Sequence, residues 1–221
     1  MSDSQWKQYF DQKAATHGAS VKSSDYFDDT SFFMQRDHIH RWLGELKGKQ
    51  ILDAGCGVGA FSEPWVKDNT VHGVDFSVKS LEFAASRGLK TLNGDLGALP
   101  FANGMFDVVV CIGVIQLIPE VEPIIAELAR VTKPGGVLLV QTLHSGSVQR
   151  KLLGLFERTK KFDRMYSMTE LAQLFTRLGF PTVDFLKQYH PLRVVTQGAG
   201  RNSLTDLFCT SFAIRGRKGN G

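Results

Sequence analysis

Cysteine is scarce in this 221-residue chain. Cys56, Cys111 and Cys209 are odd in number, far apart and form no C-x-x-C pair. That argues against a disulfide framework or a cysteine-rich zinc site and makes a reducing cytoplasm the expected compartment. Long apolar runs are lacking too. Nothing approaches the ~18–20 consecutive apolar residues of a membrane-spanning helix, and the start MSDSQWKQYFDQK has neither the basic opening nor the apolar stretch of a secretory signal. Internal repeats and low-complexity tracts are also missing.

Charge of one sign does not dominate either: the net charge is +4, with 22% charged residues. A basic stripe across the domain would mark a nucleic-acid binder, and no such stripe is present, so nucleic acid is not an expected partner. The positive excess sits in two places. Arg150 to Arg164 carries a local +4, and Arg215, Arg217 and Lys218 add three more, which leaves the remainder of the chain negative. The 150–164 run reads as a solvated helix face, with an anionic substrate or a membrane surface as the alternative.

What is present is a 43% apolar, ordinary globular composition in a length that suits one domain. Residues 1–47 are aromatic and polar, and Ser31–Leu46 has apolar side chains at helical spacing, which makes this segment a helical cap. From Gln50 onward strands and helices alternate. The pattern predicts a strand at Gln50–Ala54, a glycine turn opening a helix through Trp65, a strand at Thr70–Val74 and a helix at Ser77–Arg87 with Ser77 as N-cap. Strands at Leu89–Leu92 and Phe106–Ile112 follow, then a helix at Val121–Val131, a strand at Val137–Leu143 and a helix at Thr169–Leu178. Strands at Val183–Tyr189 and Phe208–Arg215 close the chain, with a loop at 190–206 between them. Such alternation implies a doubly wound, mostly parallel α/β sheet with helices on both faces; the last strand, lacking a clear preceding helix, is expected to be antiparallel.

The strongest local signal is Ile51-Leu52-Asp53-Ala54-Gly55-Cys56-Gly57-Val58-Gly59, a strand feeding a glycine turn. Glycines let the backbone pass close beneath a ligand, and a following helix would offer free N–H groups. Asp75 stands 20 positions beyond Gly55 at the end of the second strand, where a carboxylate can accept from ribose hydroxyls. Taken alone, the loop also satisfies the dinucleotide fingerprint through Gly55, Gly57 and Ala60.

The segments LDAGCGVGAF, VHGVDFS, NGDLGALPF, FDVVVCIGVIQLIP and VTKPGGVLLV occur in that order and spacing. Together, over roughly residues 48–143, they resemble the class I S-adenosylmethionine-dependent methyltransferases, especially the small-molecule group that includes the ubiquinone and menaquinone biosynthesis enzymes. The resemblance implies a Rossmann-like seven-stranded sheet with an antiparallel last strand, S-adenosylmethionine as cofactor and S-adenosylhomocysteine as product. It also implies a division into an N-terminal cap (1–47), a cofactor-binding core (48–143) and acceptor-side and C-terminal strands (144–221). By position, Asp53, Gly55, Cys56, Gly57 and Gly59 would hold the amino-acid end of the methyl donor. Asp75 would take the ribose, with Phe76 beside the adenine, and Asp95 and Leu96 would contact the adenine. Cys111, Ile112 and Gln116 would lie on the sulfonium side.

Methyl transfer from a sulfonium is an in-line displacement that depends mainly on alignment and exclusion of water, and a base is needed only when the acceptor must lose a proton. His144, after the fifth strand, is the candidate base. Tyr9, Tyr26, Arg36, Tyr166 and His190 are the candidates for acceptor or lid contacts. Phe10, Phe27, Phe32, Phe33, Leu152, Leu155 and Phe156 are available for an apolar wall. His38 and His40, two apart on a helix, face different ways, and Cys111-Ile112-Gly113-Val114 contains no acid to begin a magnesium site, so no metal is expected. The acceptor is then a small organic molecule, apolar or aromatic in character. Two other readings remain open at this stage: a regulatory or assembly subunit that binds the methyl donor without transfer, and a nicotinamide-dependent oxidoreductase.

Overall fold

The computed structural model describes residues 3–24, 29–148, 165–189, 194–198 and 204–220. Two helices come first, α1 (Asp3–His17) and α2 (Asp29–Leu43). The α/β region follows: β1 (Gln50–Ala54), β2 (Thr70–Asp75), α3 (Val78–Ser86), β3 (Lys90–Asn93), β4 (Phe106–Ile112), α4 (Val121–Val131) and β5 (Thr132–Leu143). The chain ends with α5 (Met168–Arg177), β6 (Thr182–Tyr189), β7 (Val194–Gly198) and β8 (Ser211–Arg217).

The sheet order is β3-β2-β1-β4-β5-β8-β6-β7. The first five strands pair in parallel and β8, β6 and β7 pair antiparallel. The chain thus starts a doubly wound sheet at β1, winds outward to β3 and returns to β4. This leaves a crevice above the carboxyl ends of β1 and β4, where open α/β sheets place their ligands.

The local reasons are readable. In α4, Val121, Ile124, Ile125 and Leu128 recur at helical spacing and bury one face, so the stripe packs onto the sheet. In α5, Ser167 accepts from the Glu170 N–H at 3.2 Å while the Glu170 carboxylate accepts from the Ser167 N–H at 2.8 Å, a reciprocal cap that fixes the start. Helices α4 and α5 cover one face over Val109, Cys111, Leu138, Val140 and Ile214. The other face, Ile51, Val108, Val110, Leu139 and Ala213, packs with α2 through Phe32, Ile39 and Trp42 and with the glycine loop.

Two expectations are corrected. No α-helix follows the glycine turn: residues 55–68 are turns with one short 3-10 helix, Glu63–Trp65. Gly55, Gly57 and Gly59 all have positive φ, and Pro64 at the start of the 3-10 turn lacks an N–H, so a helical ladder cannot be sustained. The sheet has eight strands rather than seven, because Val194–Gly198, read as loop, pairs with β6 as an edge strand. The last strand, β8, runs antiparallel to β5 and β6 as expected, and the added edge strand β7 runs antiparallel to β6. An edge strand is specified by its partner more than by its own alternation, which is why the short Val194–Gly198 run, set between Pro191 and Gly200, is concealed in the sequence.

Candidate functional site

The carboxyl ends of β3, β2, β1 and β4 lie side by side and bring together Asp95 and Leu96, Asp75 and Phe76, the glycine loop, and Cys111, Ile112 and Gln116. The glycine loop is tied to β2: the N–H groups of Gly55 and Cys56 both donate to the Val74 carbonyl, at 2.7 and 3.1 Å. It is also pressed against the β4 loop. A Cβ at Gly55 would lie 2.3 Å from Val114 Cγ2, on a residue whose φ is +78°. Glycine is therefore required at Gly55 by backbone conformation and by space together.

Asp75 is the organising carboxylate. One oxygen accepts from the Gly57 N–H at 2.9 Å and the other from the Ser77 N–H at 2.8 Å, so this acid holds the glycine loop and the start of α3 in one arrangement. Burial pushes its pKa up, against the lowering effect of these N–H groups, and the nearby Asp11 raises it further. Asp53 lies deeper. It is 1% exposed, accepts from Ser62 Oγ at 2.6 Å, and burial, opposed by that hydrogen bond, drives its pKa up to about 7. As placed, Asp53 braces the loop from below through Ser62, a partner that sequence spacing gives no sign of.

Phe76 is half-buried and meets Phe10 of α1 edge to face at 5.9 Å. Asn93 donates to the carbonyls of Asp75 and Phe76, both at 3.0 Å. Asp95 is exposed and accepts from the Gly97 N–H at 2.8 Å, whereas Leu96 is buried. The loop they begin is clamped from α4: Glu127 accepts from the Leu99 N–H, and Arg130 donates to the carbonyls of Leu99 and Phe101. On the β4 side, Cys111 is fully buried with its thiol pKa pushed far up by burial. Gln116 is held at both ends, donating to the Gly113 carbonyl at 2.8 Å and accepting from Thr142 Oγ1 at 3.2 Å.

His144 comes to this corner through β5. It is 7% exposed, its N–H donates to the Thr210 carbonyl, its ring meets Phe212 edge to face at 5.5 Å, and it forms a β-bridge with Tyr166. The Tyr166 hydroxyl reaches the Ile118 carbonyl at 3.4 Å. His144, Tyr166 and Gln116 thus gather where β4 and β5 end. Tyr166 also lines a groove of about 360 Å³ between the starts of α4 and α5, with Glu120, Glu122, Glu170 and Arg177; no residue of the glycine loop borders it.

Tyr9 lies in the α1 aromatic cluster with Trp6 and Phe10. Arg36 is turned to its neighbour Asp37 and lies over the Phe33 ring, so it is not brought to the crevice. Tyr26, His190, Phe27, Leu152, Leu155, Phe156 and the basic run at 150–164 lie outside the described residues. His38 and His40 do separate, to the carbonyls of Met34 and Phe61. His40 stacks on Trp65 at 4.2 Å, and burial, with a smaller contribution from Arg36, lowers its pKa to about 4 despite the Phe61 carbonyl, which opposes the shift. Sequence reading missed the reach of α1. Asp11 accepts from Ser77 Oγ at 2.6 Å, and a Cβ at Gly57 would lie 2.7 Å from Ser24 Oγ, so the first segment packs on the glycine loop and on the start of α3 beside Asp75.

Ser77 Oγ also accepts from the Ser80 N–H at 3.1 Å, as expected of an N-cap. With Asp75, Asp53 and Asp11 grouped around a glycine turn, the crevice suits a nucleoside that carries positive charge.

Comparison with known proteins leads to the same chemistry. A family described as "Methyltransferase domain" matches residues 52–140. The ubiquinone biosynthesis O-methyltransferase of Bordetella bronchiseptica is 30% identical over 190 residues, covering 78% of this chain and 79% of that protein. The malonyl-[acyl-carrier protein] O-methyltransferase of Serratia marcescens is 37% identical over 127 residues, and there the match spans only 50% of the relative's length. Among solved structures, magnesium protoporphyrin IX methyltransferase from Synechocystis PCC 6803 with bound S-adenosylhomocysteine superposes with a TM-score of 0.73 at 18% identity, covering 99% of this chain and 100% of that one. An S-adenosylmethionine-dependent methyltransferase from Thermotoga maritima gives 0.70 at 22% identity, covering 96% and 99%.

Proposed function

Because the chain belongs to the S-adenosylmethionine-dependent methyltransferases, we propose that it methylates a small organic acceptor with an apolar or aromatic body, held beside Gln116, His144 and Tyr166. The observation that carries this reading is the shared corner: the loop after β4 and the end of β5 meet through the Thr142–Gln116 hydrogen bond, next to the crevice of the glycine loop. The relatives named for ubiquinone biosynthesis and for malonyl-[acyl-carrier protein] are O-methyltransferases, which favours oxygen as the accepting atom. The nicotinamide and non-catalytic alternatives gain no support from these relatives.

Bound S-adenosylmethionine supplies an activated methyl group on a sulfonium. The chain's own residues then bind, align and dry the site. Asp75, which keeps Gly57 and Ser77 in register, would accept from the ribose hydroxyls; Phe76 and Leu96 would flank the adenine, and Asp95 would accept from its amine. Asp53 fixes the glycine loop through Ser62. Gln116, locked at both ends, sets the distance between the reacting centres, because a displacement of this kind depends on approach geometry. His144 takes the acceptor's proton on a ring nitrogen as the oxygen attacks, and Tyr166 orders that corner. The cap 1–47 closes over the core 48–143, and 144–221 supplies the acceptor side. Three buried free cysteines support a reducing cytoplasm as the proposed compartment; no helix among the described residues is long and apolar enough to cross a membrane.

The test is a radiolabelled methyl-transfer assay on a panel of phenols, hydroxyquinone precursors and carboxylic acids. Transfer to at least one phenolic or carboxylic oxygen, abolished by S-adenosylhomocysteine, is the expected result. Binding of S-adenosylhomocysteine without transfer to any panel member would sink the acceptor class, and no binding would sink the cofactor.

A further inference from the structure

Strand β5 ends in Gln141, Thr142 and Leu143, and the side chains of Gln141 and Thr142 leave it on opposite faces. Thr142 is answered, because its hydroxyl meets Gln116 at 3.2 Å. The Gln141 backbone is in use as well: its carbonyl accepts from the Gly113 N–H at 3.1 Å and ties the loop after β4 to β5. Its side chain is different. Gln141 is 5% exposed, and its amide oxygen is buried with no donor among the described residues. The residues level with it in the sheet are Ile112 of β4 and Ala213 of β8, and Leu139 precedes it on the same face. All are apolar. The polar groups of that face at neighbouring strand ends are committed elsewhere: Ser211 donates to Gln188 at 2.6 Å, and Asp53 accepts from Ser62.

A buried amide oxygen without a donor destabilises a fold, and a purely structural position among apolar neighbours would carry an apolar residue. The position is also where a ligand arrives. Ile112, level with Gln141, ends β4 at the crevice, and the Gly113 that Gln141 holds opens the loop bearing Gln116. Resting on the methyltransferase reading, we infer that Gln141 is a specificity-determining residue whose amide oxygen accepts a hydrogen bond from a hydroxyl of the acceptor other than the oxygen that takes the methyl group. The two oxygens must be distinct, because His144 projects to the other side of the sheet. Its ring meets Phe212, which packs with the α4 and α5 layer, whereas Gln141 shares the α2-facing side with Ile112 and Ala213. One oxygen cannot serve both side chains across the strand. The acceptor is thus an apolar body carrying two oxygens set well apart. An analogue lacking the second leaves the Gln141 carbonyl buried and unanswered, which is how a polar site rejects an apolar isostere.

Gln141→Met tests this, because methionine keeps the length of the side chain while removing the amide. Two measurements are made on the full chain. The first is the melting temperature without ligands, expected to rise because the unanswered oxygen is gone. The second is kcat/KM for matched acceptors that differ by a hydroxyl in place of a methyl group. For a phenol the pair is para-hydroxybenzyl alcohol and para-ethylphenol; for a carboxylic acid it is ω-hydroxyhexanoic acid and heptanoic acid. The unmodified protein is expected to favour the hydroxyl-bearing member of the pair it methylates by roughly three- to tenfold, and Gln141→Met to abolish that preference while still methylating the other member. A lowered or unchanged melting temperature would mean that the fold itself satisfies the Gln141 amide. Equal loss on both members, a preference that survives the substitution, or no preference in the unmodified protein would remove Gln141 from recognition. Each of these overturns the inference and leaves the methyltransferase reading intact. Transfer by the unmodified protein to neither phenols nor carboxylic acids would overturn the acceptor class of that reading, and this inference with it.

Discussion

The two halves of the sheet are built on different principles. From β3 to β4 all pairings are parallel, every strand ends at the crevice, and two of the carboxylates there are fixed by backbone N–H groups, Asp75 by Gly57 and Ser77 and Asp95 by Gly97, while Asp53 is held by the Ser62 hydroxyl. From β8 to β7 the pairings are antiparallel, and the polar groups are fixed by other side chains: Ser211 donates to Gln188, and Lys187 is paired with Asp206 in a buried ion pair. A site built on backbone N–H groups recognises one invariant ligand, since the main chain cannot be altered without losing the fold. A site built on side-chain pairs can be retuned residue by residue.

Substitutions that act on one half and spare the other sharpen this contrast. The largest effect is expected on the acceptor side. His144→Phe should lower kcat by roughly 10²–10⁴ and leave the dissociation constant of S-adenosylhomocysteine unchanged; equal loss of both would place His144 in the fold rather than the reaction. Gly55→Ala should do the reverse, weakening the cofactor about a hundredfold, since the new methyl group would overlap Val114 and the backbone would be held at φ +78°. Normal calorimetric binding by a folded Gly55→Ala protein would mean that the turn is only a connection.

Asp75→Ala comes next. Its loss leaves the Gly57 and Ser77 N–H groups without their acceptor, and a charge-assisted hydrogen bond is worth ~1.5–3 kcal/mol, about ten- to a hundredfold in affinity. Acceptor KM measured at saturating cofactor should hardly move.

The smallest effect concerns pH. Asp53 is raised to about 7 in the folded chain against an ordinary value of 3.8, so its contribution is fully present below pH ~4 and is lost as pH rises through 7. His40, lowered to about 4 from 6.5, works the other way: its contribution is complete above pH ~6.5 and is lost as pH falls toward 4. Asp53→Asn should therefore flatten the decline in melting temperature between pH 5 and 8, and His40→Phe should flatten the acid limb. Melting curves of unchanged slope in both variants would show that neither buried group titrates in its window.

The sequence by itself determined the elements whose pattern is strong and local. Gln50–Ala54, Phe106–Ile112 and Val121–Val131 run as read, because a continuous β-branched stretch and a 3.6-residue apolar stripe each leave one low-energy way to bury themselves. It also determined the order of glycines and acids that marks the cofactor crevice, since positive φ and a carboxylate at a strand end are properties of single residues. Only the tertiary structure decided that the glycine turn continues as a 3-10 segment, that Val194–Gly198 joins the sheet, that Ser62 lies under Asp53 and that Arg36 turns to Asp37. Above all it decided that Asp11 reaches Ser77 across 66 positions of chain. Contacts of that kind depend on how two finished elements dock, and docking is governed by shape and buried area summed over many residues, a quantity that no short stretch of sequence contains.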